Sequence, residues 1–164
     1  MQGFELDYQK YHYEIYVFLY GMLHSQAEAQ EILQETFLAY LQELRKDFMP
    51  AVKKRRWLYK VARNKAINVI KRDNFRKGIE ENELVHTVQT QQSSNEHEGL
   101  MQIRGLMGQL TQREALILQL YCSGLSYDEM AEVMDLEKAS VGKTLGRAKK
   151  SFKQLYDAQQ SAFA

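Results

Sequence analysis

The chain has 164 residues, 45% of them hydrophobic, and a formal net charge of +1 at pH 7. That length suits one domain or two small ones with a packed core, and a near-zero charge selects no partner by itself. A single cysteine excludes an internal disulfide and a cysteine-built zinc site, and no apolar run approaches the roughly 20 residues of a membrane span.

The start, MQGFELDYQK, lacks the basic start and apolar stretch of a signal peptide, so a cytoplasmic protein without membrane insertion is expected. Leu, Glu, Gln, Lys and Ala are abundant and proline occurs once, which points to helices throughout. In the first run Tyr13, Tyr16, Val17, Tyr20 and Leu23 recur at helical spacing and are expected to face a core. Ser25 and Glu28 have the spacing of a capping box. Beyond them Ile32, Leu33, Phe37, Tyr40, Leu41 and Leu44 fall on one helical face. The other side carries Glu28, Glu31, Gln34, Glu35 and Glu43, either a solvated face or a docking face for a basic partner.

Pro50 should break the chain before a third helix, from about Arg55 to Lys77, with Trp57, Leu58, Val61, Ala62, Val69 and Ile70 inward. Residues 45–77 hold thirteen Lys and Arg against two Asp. Lys60, Asn64, Asn68, Lys71 and Arg72 share a polar stripe, flanked by Arg56 and Arg63. Lys and Arg attract phosphates whatever the base sequence, and Asn can offer a donor and an acceptor to a base edge. A merely solvated basic face competes with that reading, but so many like charges repel one another without a counter-charge. Trp57 opens the apolar stripe and reads as core rather than as a base-stacking platform.

Residues 78–99 carry five Glu and no Lys or Arg, and their second half is almost wholly polar. Too little apolar surface is present to offset chain entropy, so a flexible linker is expected. The remainder is again helical. Leu100, Ile103, Met107 and Leu110 form a short stripe, Thr111 and Glu114 a second capping box, and Gly124 a stop. Cys122, in the apolar run of that helix, is expected to be buried and inert. Ser126 and Glu129 open a short helix, and a turn near Asp135–Glu137 leads into a basic helix, Lys138 to Tyr156. Its Val141, Leu145, Ala148, Phe152 and Leu155 face inward. Short helix, tight turn and basic helix form a helix-turn-helix, whose second helix enters the major groove by its N-terminal part. Lys138, Ser140, Lys143, Thr144, Arg147, Lys149 and Lys150 face outward. Lys143 and Arg147 suit base edges, while Lys149, Lys150 and Lys153 suit phosphates.

Enzyme chemistry is not expected. The four histidines are scattered singly, no glycine-rich phosphate loop or nucleophile elbow occurs, and the Glu80–Glu81 pair falls in the linker. No cofactor or metal is expected.

In this order the motifs resemble bacterial sigma factors of the extracytoplasmic-function group. The resemblance rests on EAQEILQETFLAYL at 28–41, WLYKVARNKAINVIKR at 57–72 and LTQREALILQLYCSGLSYDEMAEVM at 110–134, continuing into SVGKTLGRAKKSF. It implies an all-α protein of two small helical domains, residues 1–77 and 100–164, joined by the linker at 78–99, with the helix-turn-helix C-terminal. It implies core RNA polymerase and promoter DNA as partners, and an anti-sigma factor as a further one. Docking on core polymerase would fall to Glu31, Gln34, Glu35 and the partly core Phe37. The minus-ten element, with its opened strand, would be held by the loop at 46–55 and the following helix: Lys53, Lys54, Arg55, Arg56, Lys60, Arg63, Asn64, Asn68, Lys71 and Arg72. Minus-thirty-five contacts would come from Lys138, Ser140, Lys143, Thr144 and Arg147.

The chain departs from the family pattern at several positions. Asn68 stands where Asp is frequent, Asp135 where the turn commonly has Gly, and Gly142 and Gly146 interrupt the recognition helix. Each glycine costs about 1 kcal/mol of helix stability against alanine. They would let the backbone approach DNA closely, leave the helix to order on binding, or represent tolerated drift. A helix-turn-helix regulator acting on duplex operator without polymerase remains the alternative.

Overall fold

The computed structural model describes residues 2–78 and 98–163, apart from the Leu100 side chain. Among these residues the chain is helical, with no strand. The helices are α1 (Gln2–Leu23), α2 (Gln26–Lys46), α3 (Ala51–Arg76), α4 (Glu98–Gln109), α5 (Gln112–Cys122), α6 (Tyr127–Val133) and α7 (Lys138–Ala162). The linker expected at 78–99 lies outside the described residues except at its ends, where Gly78 follows α3 and Glu98 already opens α4.

Local chemistry explains the boundaries. Thr111 and Ser126 form complete capping boxes with Glu114 and Glu129, each satisfying two otherwise orphaned backbone N–H groups. The third expected box is only half made. Ser25 Oγ accepts from the Glu28 N–H at 3.3 Å, but the Glu28 side chain turns toward Asp73 and Arg72 on α3. Pro50 does separate α2 from α3, and α3 starts immediately after it. Lys53, Lys54 and Arg55 therefore stand on the first turns of that helix, not in a loop. Gly124, at φ +78°, closes α5, and Asp135 takes φ 52° in the turn before α7. Short polar side chains are the usual non-glycine occupants of that left-handed region.

Helices α1, α2 and α3 pack pairwise, and α7 packs against α4, α5 and α6. The α1 core face is Tyr11, Ile15, Phe18, Leu19 and Met22. The expected stripe is therefore rotated: Tyr13 is 70% exposed and Val17 also faces out. Apolar residues surround this helix, so spacing alone selects no face, and tyrosine tolerates water at its hydroxyl end. In α4 and just after it the buried apolar side chains are Leu106 and Leu110, while Ile103 is exposed. Cys122 is exposed as well, because α5 buries Ala115 to Leu118 and Leu120, leaving its last residue to point away. Trp57 is partly buried, its ring 5.6 Å from that of Tyr40.

The buried apolar residues of both halves form one continuous cluster. Helix α6 lies against α3, and α5 against α1. At the second contact Gly21 lets the Gln119 amide come so close that a β-carbon there would sit 3.0 Å from Nε2. The Arg104 guanidinium stacks 5.0 Å above the Tyr20 ring of α1, a further link between the halves.

Candidate nucleic-acid interface

The residues of α3 expected to hold DNA divide into three groups. Lys54 is largely covered, its Nζ 2.7 Å from Asp7 Oδ2, which also accepts from the Tyr40 hydroxyl at 2.7 Å. This carboxylate ties α1, α2 and α3 together, so Lys54 serves packing first. Burial, then the Asp7 hydrogen bond, pushes the Tyr40 hydroxyl pKa well up and keeps it protonated.

Arg55, Arg56, Lys60 and Arg63 form the second group, and all face acids from elsewhere in the chain. Arg55 donates to Glu14 on α1 (2.9 Å from Nη2) and to the Ser123 carbonyl oxygen (2.8 Å), and its Nη1 lies 3.7 Å from Glu129. The hydrogen bond to Glu14 holds its proton more tightly still, against a smaller opposing effect of burial. Glu14 also accepts from the Tyr59 hydroxyl at 3.1 Å. Arg56 pairs with Glu132 at 2.9 Å. Asp135 accepts from Lys60 at 2.9 Å and from Arg63 at 3.3 Å. Apart from Glu14, these acids belong to α6 and its flanking turn, where residues 127–137 carry five acids and no base.

The third group is open to solvent. Lys53, Asn64, Asn68, Lys71 and Arg72 are exposed, with Arg72 3.8 Å from Asp73 in its own helix. Asn64 Oδ1 accepts from Arg63 at 3.1 Å. Beside the start of α3, a cavity of about 420 Å³ is lined by Phe4, Asp7, Arg45, Phe48, Met49 and Lys54, among others. Phe48, in the short connection before Pro50, is 84% exposed. Sequence periodicity misses it because it belongs to no helix, although an aromatic residue beside a basic run is a readable signal for base stacking.

The second basic surface is open to solvent. Ser140, Lys143 and Arg147 are exposed on the first turns of α7, and Thr144 is half-buried. Lys143 and Arg147 form no ion pair among the described residues, while Lys138 pairs with Asp128 at 3.0 Å. Helix α7 runs unbroken through Gly142 and Gly146 and on to Ala162, past the expected end at Tyr156. A β-carbon at Gly146 would meet nothing within 4 Å, and one at Gly142 only the Tyr127 ring at 3.6 Å. Lys149 lies 4.0 Å over the Tyr121 ring.

On α2, Glu31, Gln34 and Glu35 are exposed, and Glu35 pairs with Lys65 at 2.8 Å. Phe37 is 3% exposed and packs edge-on against Tyr8, 4.8 Å between centroids. It supports the acidic helix from inside and does not present itself on the acidic face. Among the described residues no group of three or more His, Cys, Asp and Glu could hold a metal ion, and no helix is long and apolar enough to cross a membrane.

Residues 8–76 match the family model for sigma-70 region 2, and residues 100–152 that for sigma-70 region 4. The chain is 31% identical over 155 residues to the ECF RNA polymerase sigma factor SigM of Bacillus subtilis strain 168, covering 92% of this chain and 93% of that protein. Its fold is similar to that of the sigma factor RpoE, solved in complex with the anti-sigma factor NepR from Bartonella quintana (TM-score 0.77, 14% identity, 96% of this chain and 98% of that one). It is also similar to CnrH in complex with the cytosolic domain of CnrY (TM-score 0.69, 21% identity, 96% and 89% covered).

Proposed function

The chain belongs to the extracytoplasmic-function sigma factors of the sigma-70 family, which direct RNA polymerase to promoters, and we propose that it divides this work among three surfaces. Residues 1–77 form the unit for core polymerase and the minus-ten element, residues 100–164 the unit for the minus-thirty-five element, and residues 78–99 the connection. Glu31, Gln34 and Glu35 dock on the polymerase from α2. Lys53, Arg55, Arg56, Lys60, Arg63, Asn64, Asn68, Lys71 and Arg72 hold the minus-ten region, cations on phosphates and asparagines on base edges. The Phe48 ring offers a stacking face to an unpaired base, and the cavity beside it offers room. Lys138, Ser140, Lys143, Thr144 and Arg147 read the minus-thirty-five duplex in the major groove. The protein works in the cytoplasm and performs no covalent chemistry, which falls to the polymerase. An anti-sigma factor is a further partner, by analogy with the RpoE relative, which is held in a complex of that kind.

The observation that carries this reading is the separation of two basic helical surfaces, α3 in the first unit and the start of α7 in the second. Run-off transcription with purified core polymerase tests it. Specific transcripts should require this chain, and Glu35→Lys should lower its affinity for core polymerase while leaving its fold intact. A regulator of duplex DNA would instead footprint the promoter alone and leave transcription by core polymerase independent of it.

A further inference from the structure

We infer that Phe75 is a further DNA contact of α3, one that reads a thymine methyl group in the duplex just upstream of the minus-ten element. The inference rests on the assignment of α3 to that element.

The register of the helix supplies the first argument. Phe75 follows Asn64, Asn68 and Lys71 at steps of four, three and four residues, so the four side chains share one face. The buried face of α3, with Leu58, Tyr59, Ala62, Ala66 and Val69, lies on the other side. Asn64, Asn68 and Lys71 are exposed, and Phe75 is 87% exposed. The ring adds nothing to the core and stands in line with the side chains assigned to bases and phosphates. It projects from an ordered last turn, where the Lys77 N–H donates to the Asp73 carbonyl oxygen at 3.0 Å and the Gly78 N–H to that of Phe75 at 3.2 Å.

The neighbours of the ring supply the second argument. Lys71, Arg72, Arg76 and Lys77 are exposed around it, and Asp73 is the one acid among residues 71–77. A helix C-terminus carries partial negative charge, and these cations reverse it, so phosphates can approach beside the ring. Contacts to phosphates fix a helix on the duplex, and the side chains between them meet base edges. A phenyl ring has no hydrogen bond to offer a base edge. The group in the major groove that suits it is the thymine methyl.

Position along α3 decides between paired and unpaired bases. The helix spans 26 residues, about 39 Å. Phe48, whose ring is offered to an unpaired base, lies just before its start, and Phe75 lies in its last turn. The opened strand is held at one end, and Phe75 stands at the other. It lies seven residues beyond Asn68, about 10 Å or three base steps farther into the duplex.

The test uses holoenzyme assembled from core polymerase and the full chain, carrying native Phe75, Phe75→Ala or Asn68→Ala. Both side chains are exposed, so both variants should remain folded. Each holoenzyme selects from a pool of promoter duplexes randomised over the minus-ten element and about six base pairs upstream, twice the reach of Phe75 past Asn68. The native form should prefer thymine about three base pairs upstream of the position that Asn68→Ala relaxes, and Phe75→Ala should lose that preference alone. Uracil in place of that thymine removes only the methyl group. It should weaken native holoenzyme about three- to fivefold, the worth of one buried methyl, and leave Phe75→Ala unchanged. A thymine preference that survives Phe75→Ala, or uracil bound as tightly as thymine, would overturn the inference. So would a loss in Phe75→Ala shared by every sequence or traced to weaker binding of core polymerase. When Asn68→Ala relaxes a position and Phe75→Ala relaxes none, the inference about Phe75 fails alone. When neither variant relaxes any position, the assignment of α3 to the minus-ten element fails with it.

Discussion

Asp135 Oδ1 lies 2.9 Å from Lys60 Nζ, an ion pair that joins the turn of the helix-turn-helix to the basic helix of the other half. The contact gives Asp135 a role that glycine in the same turn could not fill. Aspartate tolerates φ 52° less readily than glycine does, but glycine would offer α3 no charge.

The pair has a titration signature. The hydrogen bond from Lys60 is the largest cause holding the Asp135 carboxyl below its ordinary 3.8, with the charges of Lys60 and Arg63 acting the same way. A depressed carboxylate lends its stability above the unfolded pKa and loses it as pH falls through the folded one. The contribution is small because the group is exposed and screened. Carbon-detected NMR of the Asp135 carboxyl should show a midpoint below that of a free aspartate, and Lys60→Gln should raise it. A midpoint indifferent to Lys60→Gln would mean that the pair does not form in solution.

Asp7 makes a different prediction, about stability. Its carboxylate accepts from Tyr40 and pairs with Lys54, both at 2.7 Å, and the two charged side chains are largely covered. Asp7→Ala leaves a half-buried ammonium and a buried hydroxyl without partners and should cost about 1–3 kcal/mol in urea denaturation. Tyr40→Phe removes one hydrogen bond and should cost about 1 kcal/mol. Lys54→Met should lower stability, whereas Lys53→Met, at an exposed site on the face assigned to DNA, should lower DNA affinity alone.

These networks mark the limit of what the sequence discloses. The helices, the two complete capping boxes, the break at Pro50 and the inward faces of α2 and α7 follow from period and local chemistry. Spacing fails on α1, where apolar residues surround the helix and Ile15 rather than Tyr13 is buried. It fails at Glu28, whose cap partner competes with Asp73 across the fold. The acid run of 127–137 is plain in the sequence, but its partners on α3 lie about 70 residues upstream, as in the Arg63–Asp135 pair, and no local rule links them. Lys54 and Arg55 read as open cations by charge, because the sequence does not reveal that Asp7 and Glu14 lie against them.

Glu28 should be a site of gain. Burial raises its pKa above the ordinary 4.5, and the nearby Asp73 charge raises it further, with Arg72 opposing. A raised carboxylate favours folding below its unfolded pKa, and that benefit is lost as pH rises through the folded value. At neutral pH the charged form is therefore the costly one. Glu28→Gln should stabilise the protein at pH 7 by about 0.5 kcal/mol after allowance for solvent screening. The gain should shrink as pH falls, because the raised pKa lets Glu28 take up its proton earlier than a free glutamate. Urea midpoints at pH 7 and at progressively lower pH decide it, and a gain that does not change with pH would exclude the electrostatic cause.

Arg147 and Gly146 are neighbours on α7, and they separate contact from backbone approach. Arg147 is exposed on the face assigned to the major groove. Arg147→Ala should lower affinity for a minus-thirty-five duplex in the holoenzyme by about 1–3 kcal/mol if the guanidinium makes a bidentate base contact. The loss should be confined to the base pair it reads, unlike that from Lys150→Ala, which should weaken all sequences alike. Gly146 sits in an unbroken helix, and a methyl group added there would meet nothing within 4 Å, so Gly146→Ala should raise stability by about 1 kcal/mol. If the missing side chain serves close approach, the same variant should bind the duplex more weakly despite its greater stability. Opposite signs in thermal denaturation and duplex affinity would establish that role. Parallel gains would show that the glycine softens the helix without any contact to DNA, and promoter affinity in this chain would then be limited by ordering α7 rather than by reaching the groove.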